Sequence, residues 1–188
     1  MSTLSTTNLK NASSGSNNVV LNADGTTTIA SPSNIIKSGT SVASTSGTSI
    51  DFTGIPSWVK RVTVMFNSIS TNGTSGILFQ VGTSSGIVAT GYNASCGQIS
   101  NGNLFQSTAG IPLRHAVATY DSSGQLVWNL MGGNTWIASY ASGSNSTVGS
   151  CAGGGSVTLS GTLDRVRITT ANGTDTFDAG SLNILYEG

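Results

Sequence analysis

Apolar and polar side chains alternate with a period of two through the two clearest stretches of the chain. Val62, Val64 and Phe66 alternate with Thr63, Met65 and Asn67, and Val166 and Ile168 alternate with Arg165 and Arg167. That period sends one side chain into a core and the next into solvent, as in a half-buried strand. Each stretch runs on to an Asn-Gly pair (Asn72-Gly73, Asn172-Gly173) and then to a second apolar stretch, Ile77 to Val81 and Phe177 to Tyr186. Asn-Gly readily adopts the positive φ angles of a tight turn. Both units therefore read as β-hairpins and are expected to frame a C-terminal domain.

The same reading extends to the rest of the chain. Val19-Val20-Leu21 and Thr26-Thr27-Thr28-Ile29 flank Asp24-Gly25, a short hairpin signal in an N-terminal arm over residues 1–31. An isolated hairpin of this size is marginal at best, so the arm needs a partner: its own domain, identical chains around an axis, or another protein. Leu9, Val19, Leu21 and Ile29 are its candidate attachment residues. Residues 32–49 read as a linker, either flexible or an extended packed arm anchored by Ile35 and Ile36. From Ile50, strands are expected over Trp58–Asn67, 77–81, 86–92, 115–120, 125–131, 135–140, 157–159, 163–170 and 177–186, with loop-rich stretches at 93–112 and 141–155. Trp58 reads as core or as a subunit interface. No window carries a period of 3.6. Eight or nine strands with closely spaced turns predict an all-β protein, an antiparallel sandwich or jelly-roll-like knob over residues 50–188.

Composition sharpens this picture. Charged residues form only 7% of the chain, against about a quarter in ordinary globular domains. Gly, Ser, Thr and Asn replace them and disfavour helices. Seven basic and seven acidic residues balance to zero, and no basic stripe marks a nucleic-acid binder. No apolar run approaches 18 residues, so no membrane insertion is expected. The opening Met1-Ser2-Thr3-Leu4-Ser5 lacks the features of a signal peptide, which predicts synthesis in a cytoplasm. Cys96 and Cys151 make no disulfide framework, and a single histidine argues against a metal; no cofactor is expected. Asp175 and Asp178 fall at a turn that needs polar residues anyway. His115 has no adjacent nucleophile pattern, and Gly153-Gly154-Gly155 has no lysine or following helix to cradle phosphate. The expectation is a protein that is not an enzyme.

A binding or structural role remains. The stretches at 93–110 and 141–155 read as exposed loops punctuated by Tyr92, Phe105, Gln106 and Tyr140, a set of aromatic and amide groups that would suit carbohydrate or any solvated loop. Thr63–Ser75, Gly91-Tyr92, Gly133-Asn134-Thr135-Trp136 and Leu159–Thr169 are similar to segments of tailed-bacteriophage virion proteins. The ending Gly173–Glu187 resembles the C-terminal knob of phage tail-fibre-like proteins. Asn8–Asn11 through Asp24–Thr26 looks like the short β-motif that precedes such knobs. The resemblance implies a homotrimer made in a bacterial host and built into the virion, with a jelly-roll-like knob on a thin stem and other virion proteins as partners. A host-surface glycan or receptor would meet the knob. The chain has hardly any room for a shaft, so a capsid decoration (cement) protein held by the arm is the alternative.

Overall fold

A computed structural model describes residues 8–9, 12–13, 15, 19–29, 36–99, 102–113, 117–145 and 149–188, with Ile29 through its backbone only. The chain divides into two compact units, residues 1–35 and 36–188. No helix forms among the described residues, so none is long and apolar enough to cross a membrane. The protein is all-β and antiparallel throughout.

The first unit is a three-stranded sheet of β1 (Asn8–Leu9), β2 (Val19–Leu21) and β3 (Thr27–Ile29), in that order. The expected β2–β3 hairpin forms, with Val19 opposite Ile29 and Leu21 opposite Thr27. Gly25 takes the positive φ of the turn (83°), and Asp24 accepts hydrogen bonds from the hydroxyl and the backbone N–H of Thr26. Those bonds hold the exposed Asp24 carboxyl below its ordinary pKa, the hydroxyl contributing most.

The second unit is a β-sandwich. Its strands are β4 (Lys37–Ser38), β5 (Val42–Ala43), β6 (Ser49–Thr53), β7 (Arg61–Thr71), β8 (Ile77–Thr83), β9 (Gly86–Ile87), β10 (Asn93–Gln98), β11 (Leu104–Ser107), β12 (Ile111–Leu113), β13 (Ser122–Gly132), β14 (Thr135–Ser144), β15 (Cys151–Thr158), β16 (Arg165–Thr170) and β17 (Phe177–Glu187). The large sheet runs β11-β10-β15-β14-β13-β7-β17-β4, with β5 also on β17; the small sheet runs β12-β8-β16-β6, with β9 on β8. Period-two burial is clear in β14, where Trp136, Ala138, Tyr140 and Ser142 point inward. Facing rows meet in one core: Phe66 of the large sheet packs on Phe79 of the small one at 5.5 Å between ring centroids, and Tyr140 reaches the same Phe79 at 6.3 Å.

Three expectations change. The two Asn-Gly units are arches between the sheets, not hairpins within one. β7 and β17 lie in the large sheet, β8 and β16 in the small one, and the pairings are β7–β17 and β8–β16. Asn-Gly fits either connection, and the arch puts the two limbs in opposite sheets, where β8 is buried along its whole length. Stacking the arches buries the facing limbs. Their turns lock together: Asp175 accepts hydrogen bonds from the Ser75 N–H (2.9 Å) and the Asn172 amide (2.7 Å). Asn72 accepts one from the Thr176 N–H (2.8 Å), and the Asn172 N–H donates to the Ser75 hydroxyl (3.0 Å). Asp175 thus has a structural task, as its turn position suggested.

Of the two readings of the linker, the packed arm holds from Ile36 onward, as part of the knob. Gly39 N–H donates to Ile184 O (2.7 Å) and Ser44 N–H to Gly180 O (3.0 Å), while the fully buried Ser44 hydroxyl donates to Ala179 O (2.7 Å). This strap covers the outer edge of β17, whose backbone groups would otherwise lack partners. The knob therefore starts at residue 36, not 50.

The stretches expected to be loops are largely strands. β10 and β11 occupy much of 93–110, and β14 and β15 extend into 141–155. The glycines at 153–155 do not mark an exposed loop; β15 lies between β14 and β10, and a Cβ at Gly155 would overlap the backbone of Asn93 and Ala94. Of the strand expected over 115–120, residues 114–116 lie outside the described set and 117–120 form a turn.

Candidate functional site

The four knob residues singled out from sequence separate into two pairs. Tyr92 is 2% exposed and Tyr140 6%, so neither offers a ring to a ligand. The Tyr92 hydroxyl accepts from Val81 N–H (2.8 Å) and donates to Val88 O (3.0 Å), while its ring stands edge-on to Trp128. The Tyr140 hydroxyl donates to Pro112 O at 2.6 Å, tying the two sheets together. Burial pushes the Tyr92 pKa up to about 12 and that of Tyr140 up as well, the latter also through the neighbouring Cys96 thiol. Both are core tyrosines whose polar ends found partners.

Phe105 and Gln106 sit on β11, the outermost strand of the large sheet, and face opposite ways. Phe105 pairs with Cys96 on the inner side and is half-buried, beside a hollow of about 200 Å³ lined by Leu78, Cys96, Pro112 and Leu113. Gln106 lies opposite Ser95, which lies opposite Gly154, so these three share the outer face. Cys96 and Cys151 are both buried and are not joined by a disulfide. Cys96 faces Gly153 and Cys151 faces Gln98, two positions apart on neighbouring strands.

On the outer face lies the largest of the described hollows, about 340 Å³, lined by Tyr92, Asn93, Ser95, Gln106, Thr108 and the backbone of Gly154 and Gly155, among others. β10, β11 and β15 build it. Asn93 and Ser95 share a face by period two, and the glycines of β15 leave a floor without side chains. Among the described residues, no Lys, Arg, Asp or Glu lines the hollow. The side chains of Asn93, Ser95, Gln106 and Thr108 make no hydrogen bond to another described residue. By contrast, Gln80 donates to Ala109 O and Gln98 accepts from Asn103. Of the sequence candidates, the site therefore unites Tyr92, through its place in the wall, and Gln106. Asn93, Ser95 and Thr108 were missed, although Asn93-Ala94-Ser95-Cys96 already alternates polar and apolar.

In the arm, Leu9 and Leu21 are 46% and 47% exposed and Val19 is half-buried; Ile29 pairs with Val19, and its side chain is outside the described set. No described side chain of this unit is buried. Trp58 is half-buried against Tyr186, with the Lys37 ammonium 5.8 Å from its ring. His115 lies outside the described residues. Among those described, no three His, Cys, Asp or Glu side chains gather as metal ligands. No protein-family model matches the chain, and comparison with curated proteins finds no similar sequence.

Proposed function

We propose that this is a non-enzymatic bacteriophage virion protein: a short, trimeric, fibre-like protein held to the particle by its N-terminal arm, with the knob meeting a glycan or receptor on the host surface. The observation that carries the reading is the contrast between the two units. The knob has a complete core from two facing sheets, whereas the arm is an ordered sheet that buries none of its described side chains and leaves Leu9 and Leu21 bare. A three-stranded sheet without a buried hydrophobic face has little independent stability. Symmetric copies of itself and a docking protein on the particle both supply that burial. The resemblance of the knob and arm sequences to phage virion proteins supplies the setting.

The capsid-decoration alternative uses the same arm. Binding separates the two. Full-length protein and a chain starting at Ile36 are tested on host cells and on virions lacking the protein. Attachment requires the Ile36 chain to bind cells and to block infection. Binding of the full-length chain alone, to particles and not to cells, replaces attachment with decoration. Sedimentation or light scattering of the full-length protein tests the trimer.

A further inference from the structure

We infer that the outer-face hollow between β10, β11 and β15 takes a neutral saccharide unit, held by the amides of Asn93 and Gln106 and the hydroxyls of Ser95 and Thr108. The inference rests on the host-attachment reading and gives it a site and a ligand class. Three features of the hollow select that class. Its volume of about 340 Å³ lies at the small end of ligand pockets, which run from about 300 to 1,000 Å³, and suits one or two sugar rings. Its polar side chains are amides and hydroxyls, groups that each donate and accept, as sugar hydroxyls do. Their capacity is unspent on the other described residues. An anion would lose its hydration there without meeting a cation among the described residues, and an apolar ligand would cover polar groups without satisfying them.

The backbone floor adds shape. At Gly154 a Cβ would overlap the carbonyl of Ala138, so packing between β14 and β15 demands glycine, and the same choice leaves a smooth surface on which a ring can lie. With Tyr92 turned inward, no aromatic ring stacks on the ligand. Each site is therefore weak, with a Kd of about 1–10 mM, and useful attachment comes from several knobs engaging one surface.

The test titrates full-length, ¹⁵N-labelled protein with the methyl glycosides of glucose, galactose and N-acetylglucosamine, and with N-acetylneuraminic acid as the acidic control. At least one neutral probe is expected to shift the amide signals of Ser95, Gln106 and Gly154. Gln106→Ala is expected to weaken that binding about fivefold, the effect of one lost hydrogen bond, at an unchanged melting temperature. The inference is overturned if no neutral probe moves those signals, if the acidic probe binds at least as well, or if Asn93→Ala with Gln106→Ala leaves Kd unaltered. A parallel assay asks whether soluble protein blocks particle attachment to host cells. Blocking without sugar-induced shifts removes the hollow as the site and leaves attachment standing. Shifts without any cell binding support the hollow and remove the attachment reading.

Discussion

Asp175→Ala should cost about 3 kcal/mol of knob stability. The carboxylate takes the Ser75 N–H on one oxygen at 2.9 Å and the Asn172 amide on the other at 2.7 Å, joining residues about 100 positions apart. Hydrogen bonds to a charged group contribute about 1.5–3 kcal/mol each. The Ser75 bond is partly buried and belongs in that range, whereas the exposed Asn172 bond belongs at or below its lower end. Truncation also leaves the Ser75 N–H without its acceptor. At about 2–4 °C per kcal/mol for a domain of this size, the melting temperature should fall by about 6–12 °C. Asp175→Asn keeps the shape, loses the charge and presents a donor to one of two donors, so it should fall in between. Calorimetry of the three proteins, with Asn172→Ala and the double variant to close a cycle, reads both the total and the coupling. A fall below 2 °C for Asp175→Ala, or full additivity in the cycle, would refute the view that this carboxylate clasps the arches.

Removing residues 1–35 should leave a soluble, cooperatively melting knob, whereas removing residues 1–49 bares the edge of β17 and should give aggregation visible by light scattering. Alkali should destabilise the knob. The folded pKa of Tyr92 lies near 12, above its ordinary 10, and that of Tyr140 is also raised, so their contribution is full below pH 10 and is lost as pH climbs towards 12. Denaturant midpoints measured at pH 8, 10 and 11.5 should therefore decrease in that order. Gly155→Ala should cost roughly 2–3 kcal/mol by forcing β10 and β15 apart, read as a shifted urea midpoint. Arg167→Ala removes a paired but half-exposed guanidinium 2.7 Å from Asp51 and should cost no more than about 1 kcal/mol, which the same titration measures.

Period two was a reliable guide to which residues turn inward. Val62, Val64 and Phe66, Val166 and Ile168, and Leu182 and Ile184 are all buried as their spacing required. Which strand each would pair with was not legible, because local pattern specifies a face and a turn but no partner. Asn72-Gly73 and Asn172-Gly173 fit an arch between sheets as well as a hairpin within one. Gly and Ser misled for a related reason. In Cys151–Thr158 they mark a strand crowded by β14 and β10, where larger side chains would collide, and single-sequence propensity scores the same letters as a loop. Tyr92 and Tyr140 read as exposed rings because the stretches that follow them look like loops; those stretches are largely strands, and period two turns both rings inward. Gln106 kept its exposure because it occupies the outward phase of β11. The strap was half-legible: of the expected anchors Ile36 is 61% exposed and Ile35 lies outside the described residues, while the small Ser44 is the buried contact.

The stacking of the arches also sets the order in which the knob can assemble. β7 lies between β13 and β17, and Arg61 finds its partner Glu187 on β17 126 positions later (187 − 61). During synthesis β7 emerges early and stays bare along one side until β17 has appeared, with Val62, Val64 and Phe66 awaiting the opposing sheet. Closing so long a loop precedes the reward of pairing, which places this fold among the slow, non-local folders with times of about milliseconds to seconds. Over that interval the exposed edge of β7 is a site where nascent copies can pair wrongly, and the polar tips and sparse charge of the chain offer little repulsion to prevent it.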